Sequence, residues 1–459
     1  MSSRRRTFPL CCFLFSGFVL GAPGCLLLDG HRTPEGIARW QDPSPPRLSL
    51  HEKARVYQER IEERHLTPEG FLKYSIFAGR DGYGELGDGP FHTGIYLASQ
   101  AFRHAATKDP AAGRQVCLAL RGLRTLMEVT GKRGLLARYV SPVGEPHPGR
   151  THRWHASTTL PAYAWKDDAS KDQYAGFIHG VGVTLALVDL PEARAMAVDL
   201  AAQAADHLME NNLQIVDADG QPTTYGDLRG RLVIVPIGVN ALICLAIAKT
   251  AAVSTAEARH GDFYRRLIED GYSRLAFWAY FTLLGVGNRV NDNMAYLALT
   301  PLLLLEKDKA ILSDLRRAER RSWEGVKEDR NAFFSFVHAA LVGDPAYLLE
   351  TGQSPKASGI ERGRQSLFEF PDDKVEWPVD LTRPGFDFPR ALFNTRKGEP
   401  RTTRGVPLYL RPRSSSLWAS DPFRLVGALN QRGDQETAGA DYLLAYWMGR
   451  YFGFISPEE

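Results

Sequence analysis

What most constrains this chain is an alternation between two kinds of helix. Val239 to Ala252 (VNALICLAIAKTAA) is apolar on nearly every turn, and the following segment, Ala256 to Tyr280, carries charges along one side. A helix that is apolar all round has to be buried, whereas an amphipathic one faces solvent. The same succession holds for Thr93 to Thr107 with Ala111 to Val129, and for Lys171 to Asp189 with Pro191 to Asn211. It recurs for Asn291 to Glu306 with Lys309 to Trp323, and in shorter form for Asn331 to Leu341 with Pro345 to Leu349. The aromatic Glu436 to Phe452 is a last helix, able to close a ring with the charged surface helix expected over His51 to Arg64. These patterns predict an all-α fold, an α/α toroid of paired inner and outer helices with short β-ribbons in loops. The ribbons are expected at Gln214 to Val216, Arg231 to Val235 and Leu408 to Leu410. Residues 354–421 are Pro- and Arg-rich with little helical pattern, a long irregular excursion over one rim.

Trp165 to Leu190 shows how one inner helix is specified. Ser170 followed by Gln173 is a capping box. Tyr174, Phe177, Ile178, Val181, Leu185 and Val188 then recur at helical spacing. Gly176, Gly180 and Gly182 thin one face so that a neighbouring helix can approach closely, although each costs roughly 1 kcal/mol of helix propensity. An acidic, aromatic loop precedes the helix, with Trp165, Asp167, Asp168 and Asp172.

The charge balance excludes one class of partner. With 56 basic and 53 acidic residues the net charge is +3, without the concentrated basic face that nucleic acid requires. Residues 1–24 read as an export signal, with Arg4 to Arg6 ahead of a short apolar run from Phe8 to Leu20. Ala22-Pro23-Gly24-Cys25 resembles a lipobox, in which Cys25 would carry lipid and tie the chain to a membrane. The other reading is an ordinary signal cut near Gly24. Either way the protein is expected to be exported, lipid-anchored at the cell envelope or secreted. Residues 25–48 form a tether and 49–459 a single toroid domain. Cys117 and Cys244 sit in apolar helical runs as small buried side chains. No CxxC, HExxH or similar spacing occurs, so neither a metal site nor a cofactor is expected.

In such a ring all inner helices start at one end, and here those starts carry polar residues. Asp81, Tyr83, Glu85, Asp88 and His92 precede or open the first; Asp167, Asp168 and Asp172 surround the second. Tyr225, Asp227 and Arg231 precede the third, Asn291 and Asp292 open the fourth, and Asn331 opens the fifth, which carries His338. Arg138 follows the first outer helix, and His152, Trp154 and His155 stand in the next loop. Asp and Asn at helix starts are ordinary caps, and His179 on an apolar face reads as a packing residue. The functional reading rests on their gathering at one end. Aromatic faces stack on sugar rings, while carboxylates, amides and guanidinium groups hold their hydroxyls and acids. Glycoside hydrolysis needs two carboxyl groups, one protonated as acid and one acting as base or nucleophile. Asp88 and Asp172 are the first candidates and Asp168 the reserve. Arg138, His152, Trp154, Trp165, Tyr225, Asp227, Arg231, Asn291 and Asp292 are the candidate substrate-binding residues.

The helix succession, with Asp-bearing loops such as GELGDGPFHTG and WKDDASKDQYAG, resembles the six-hairpin α/α-toroid carbohydrate-active enzymes, the unsaturated glucuronyl hydrolase-like glycosidases and lyases. The resemblance covers roughly residues 70 to 345 and is one of architecture. It implies a glycan-active enzyme, a hydrolase before a lyase, with an oligo- or polysaccharide as partner. Two rivals remain: a non-catalytic envelope protein that binds glycan, and a helical scaffold.

Overall fold

The first helix is the charged surface helix expected near His51, exposing His51, Glu52, Arg55 and Glu59 and turning Lys53, Ala54 and Tyr57 inward. The computed structural model describes residues 44–77, 87–145, 153–280, 282–283, 286–342, 355–373, 379–391, 400–411, 421–427 and 435–459. Helix α1 (Leu50–Arg60) opens with Ser49 and Glu52 in a capping box. Its Tyr57 and Lys53 are fully buried, and Lys53 Nζ donates to the carbonyls of Leu367 and Phe368 at 3.2 Å each. The chain widens to a π-turn at Ile61–His65 and reaches strand β1 (Ser75–Phe77), which pairs antiparallel with Gln435–Thr437.

Pairs then follow one another. They are α2 (Gly89–Thr107) with α3 (Pro110–Glu128), α4 (Lys171–Leu187) with α5 (Pro191–Glu210), α6 (Gly238–Ser254) with α7 (Ala258–Glu269), and α9 (Arg289–Leu305) with α10 (Lys309–Val326). The short α8 (Tyr272–Leu275) lies between α7 and α9. The inner members are buried nearly throughout, as α6 is from Gly238 to Ala251. The outer members bury one stripe, as α10 does with Leu315, Ala318, Ser322, Trp323 and Val326. The next inner helix, α11 (Ala332–Val337), packs on a helix at Pro355–Phe368, and the last, Ala440–Tyr451, packs on α1 and α2. The inner succession α2, α4, α6, α9, α11 and the C-terminal helix closes on itself. This is the all-α toroid expected from the helix alternation, with its sixth pair made by the first and last helices.

Glycine sets the closest approach. A Cβ on Gly94 of α2 would lie 1.9 Å from the Gly176 carbonyl oxygen of α4, and one on Gly176 would lie 2.5 Å from the Phe91 backbone. No side chain fits between these helices, so the thinned face is a packing requirement. Elsewhere on α4, His179 Nδ1 bonds the Leu297 carbonyl of α9 at 3.0 Å.

Several expectations need correction. Residues 354–421 are not irregular throughout, because the Pro355–Phe368 helix lies inside them. Ala256 to Tyr280 is not one helix: Gly271 turns with φ +81°, and a separate short turn of helix follows. Leu408–Leu410 is a 3-10 turn rather than a ribbon, and Glu436 is in a strand rather than in the last helix. The segment 345–349 lies outside the described residues.

One small sheet positions the site. Strands β2 (Tyr139–Pro142), β3 (Trp154–Ala156) and β4 (Tyr163–Lys166) form a sheet in the order β2–β4–β3, with Trp165 opposite Val140 and His155. Arg138 stands just before β2 and Asp167 just after β4, and Arg138 N donates to the Lys166 carbonyl at 2.9 Å. The sheet thereby carries Arg138 to the start of α4. The hairpins β5 (Gln214–Val216) with β6 (Pro222–Asp227), and β7 (Arg231–Leu232) with β8 (Val235–Pro236), lead into α6.

Candidate active site

Asp88 takes the N-cap position of α2, yet its side chain caps nothing. Gly89 N instead donates to the Arg138 carbonyl at 3.0 Å, and Pro90 has no N–H to satisfy. The carboxylate is left for other partners. Its Oδ1 accepts from Arg138 Nη2 at 2.9 Å and from Gln173 Nε2 at 2.8 Å. Gln173 is the far member of the α4 capping box, and its Oε1 accepts from Ser170 N at 2.7 Å. One side chain therefore closes the helix start and fixes Asp88.

Arg138 ties the group together. Its Nε donates to the Gly87 carbonyl at 3.0 Å, and its Nη1 to the Asp168 carbonyl at 3.1 Å and to Ser170 Oγ at 3.2 Å. Ser170 Oγ donates in turn to Asp172 Oδ1. Asp88 and Asp172 thus flank one guanidinium and one hydroxyl. Burial, and then the charge of Asp88, push Asp172 up to about 6, against the opposing pull of Arg138 and Ser170. Asp172 is 8% exposed, whereas the side chain of Asp88 is 22% exposed, so the pair lies where a buried floor meets solvent. One carboxyl raised beside a second is the arrangement general acid–base chemistry uses.

The remaining candidates fall into different places. Asp168 has φ +61°, pairs with Arg153, and accepts from Thr224 N at 2.7 Å, while its own N–H donates to Asp217 Oδ2 at 2.7 Å. Its Oδ1 fastens β6 to the start of α4, and its Oδ2 takes Arg153, just before β3. Asp167 binds His155 Nε2 at 2.8 Å. Trp165 is buried and lies 5.0 Å from the His155 ring, and Trp154 packs on the core from β3. Lys171 Nζ donates to Asn240 Oδ1 at 3.1 Å, and Asn240 Nδ2 to the Asp227 carbonyl at 2.9 Å, which ties the end of β6 to Lys171 through Asn240. Asp227 itself pairs with Arg229, Tyr225 is exposed on β6, and Arg231 is exposed on β7. His152 and Cys25, with Asp81, Tyr83 and Glu85, lie outside the described residues.

Asn291 and Asp292 belong to a second acidic group, at the starts of α9 and α11. Asn288 caps α9 by accepting from Val290 N at 3.1 Å, leaving Asp292 to pair with Arg289 Nη1 at 2.9 Å. Arg289 also binds Asp329, Nε to Oδ2 at 2.6 Å and Nη2 to Oδ1 at 2.9 Å. Arg411 and Pro422 close over the group, around a space of about 10 Å³ that has room for about one water. Burial pushes Asp292 up to about 6 and Asp329 up to about 7, against the pull of Arg289. Asn291 stays partly exposed at the edge. A wider groove of about 690 Å³, lined by Pro46, Ile360, Phe368 and Tyr409, shares no lining residue with either acidic group.

Sequence reasoning places Arg289 before the fourth inner helix but passes over both it and Gln173 as site residues, and it does not reach Asp329 or Arg411. The capping box was the available signal for Gln173; the other three meet only through the fold. Among the described residues no cluster of three His, Cys, Asp or Glu is arranged to hold a metal ion.

No family model matches the chain, and no curated protein matches it. Solved structures do. A cellobiose 2-epimerase from Spirochaeta thermophila superposes with TM-score 0.44 at 14% identity over 88% of this chain and 97% of its own. A GH76 α-mannanase from Bacteroides thetaiotaomicron gives 0.41 at 8% over 89% and 96%. A glycosyl hydrolase of family 88 from Bacteroides vulgatus gives 0.39 at 8% over 89% and 100%. These are carbohydrate-active enzymes of the kind the helix succession resembles. At such scores they assign no residue and no reaction, and the toroid rests on the helix pairing itself.

Proposed function

We propose that the chain is a glycoside hydrolase in which Asp172 acts as the acid and Asp88, paired with Arg138, as its partner. The observation that carries this reading is the run Asp88–Arg138–Ser170–Asp172. It unites two distant acids, one raised to about 6, at a partly open edge of the ring. In the reaction Asp172 delivers its proton to the glycosidic oxygen as the bond breaks. Asp88, held by Arg138 and Gln173, either takes a proton from the water that attacks the anomeric carbon, or attacks that carbon itself to form a glycosyl ester that water then cleaves. Exposed Tyr225 is available to an oligosaccharide arriving from solvent. The names of the neighbouring structures support a glycan substrate. We also propose export, with attachment to the cell envelope through Cys25, from the Arg4–Arg6 cluster, the Phe8–Leu20 run and the lipobox-like residues before Cys25.

The test is reducing-end release from a panel of neutral and uronate-bearing oligosaccharides. Asp172→Asn and Asp88→Asn are each expected to lose roughly 10²–10⁴-fold in kcat/KM with native thermal stability. Full turnover in both variants overturns the assignment. Binding of an oligosaccharide by the parent chain with no product over long incubation favours a glycan-binding protein instead.

A further inference from the structure

The β7–β8 ribbon presents an apolar tip to solvent. Val233 and Ile234 are 88% and 83% exposed, and Leu232 and Val235 beside them are 39% and 45% exposed. The turn itself is built from residues that its geometry disfavours. Two-residue hairpin turns take Asn-Gly or Asp-Gly because they need positive φ, and here the β-branched Val233 adopts φ +57°. Placing the least soluble side chains at the most exposed point opposes both the turn and the solvent.

The tip stands on a firm base. Ile237 N donates to the Gly230 carbonyl at 2.9 Å, and Gly230 N donates to Tyr272 Oη at 3.0 Å. A Cβ on Gly238 would lie 2.2 Å from Ala279 N, so the ribbon's root is pressed against the segment that carries Trp278. Trp278 is 45% exposed. The Arg321 guanidinium lies 4.8 Å from its ring and 4.2 Å from that of Phe277, and Arg317 lies 4.7 Å from Phe277. Arg231 is exposed at the foot of the ribbon. Near this base Asp227 pairs with Arg229 and Asp314 accepts from Ser273 Oγ at 2.7 Å, while Asp270 stands close to Tyr272.

We infer that this ribbon is a membrane-docking element that inserts its Leu232–Val235 tip into an anionic lipid bilayer. The layering matches a bilayer surface: aliphatic side chains deepest, an exposed indole at their base, and guanidinium groups at the level of lipid phosphates. A protein partner fits less well. A stable interface covers roughly 800 Å² on each side, and a projecting two-residue turn offers a convex point rather than such a face. A fluid lipid surface needs only the point. Because the ribbon leads into α6, it stands at the inner-helix starts, the end that carries Asp88 and Asp172. Docking turns that end toward the membrane. The inference does not depend on catalysis or on lipid at Cys25.

The test uses the full chain with Cys25→Ser, which removes any acyl anchor, and vesicles of phosphatidylcholine with and without phosphatidylglycerol. Hydrogen exchange should show amides 231–237 protected on vesicles containing phosphatidylglycerol. Sedimentation with those vesicles should fall roughly tenfold or more in the double variant Val233→Ser/Ile234→Ser, with reducing-end release from soluble oligosaccharides unchanged. Vesicle binding that leaves amides 231–237 unprotected, or that survives the double variant, overturns the inference, as does failure of the parent chain to bind vesicles. Equal binding to pure phosphatidylcholine removes the anionic requirement and overturns it in that form. Self-association abolished by the double variant, with no effect of lipid, assigns the tip to a protein contact instead.

Discussion

Two arginine-centred acid groups stand at the inner-helix starts, and they differ in what covers them. Arg138 draws together Asp88 and Asp172 with side chains near 21% exposed on the Arg138–Asp88 side. Arg289 draws together Asp292 and Asp329, whose side chains are 3% and 5% exposed beneath Arg411 and Pro422. Each group contains an acid from the first turn of an inner helix raised to about 6. A raised carboxyl therefore does not by itself mark catalysis, since ion-pair networks perturb acids too. Access separates the two: solvent reaches Asp88, whereas the Arg289 group is covered by Arg411 and Pro422 from a later part of the chain.

The largest effect should break the sealed group. Arg289→Ala leaves two carboxylates buried without their cation and is expected to cost roughly 3–5 kcal/mol in urea unfolding. Asp172→Asn in the open group should stay within about 1 kcal/mol of the parent at pH 7, because it removes a charge that burial already disfavours. Equal losses in the two variants would erase the distinction.

A middle-sized effect concerns pH. Asp172 and Asp292 at about 6 and Asp329 at about 7 all lie above the ordinary carboxylate value of roughly 4. The folded protein thus holds protons that the unfolded chain has released. The stability these acids contribute is fully present below about pH 4 and is lost as pH rises through 6 to 7. Denaturant unfolding at intervals from pH 4 to 7 should show Asp292→Asn gaining on the parent as pH rises. A constant difference would refute the raised values.

The smallest effect sharpens the open group. Ser170→Ala loses a helix-start hydroxyl, at about 1 kcal/mol. It also removes the hydrogen bond that holds Asp172 down, so Asp172 should rise further. If Asp172 is the acid, the alkaline limb of the pH–rate profile moves upward in this variant. An unmoved limb assigns that limb to another group.

Much of the ring was legible because its signals are local. Pro191 at the start of α5, the Ser170–Gln173 box and the glycines of α4 act within a turn or two of the backbone. The Pro355–Phe368 helix escaped notice because Gly359 and Gly363 interrupt its pattern. Those glycines serve packing: a Cβ on Gly363 would lie 2.2 Å from the Phe336 ring, and one on Gly359 2.8 Å from the Ser335 carbonyl oxygen. Glu436 was read into a helix because nothing nearby shows that Ser75–Phe77 will pair with it.

The sequence alone determined which helices are buried, which face outward, and that polar residues gather where the inner ones begin, since hydrophobic period and capping are written residue by residue. Only the tertiary structure decided which acids share a guanidinium, which of them solvent can reach, and that an apolar ribbon stands exposed beside them. Those outcomes depend on burial and on contacts between residues far apart in the chain, and no local pattern encodes them.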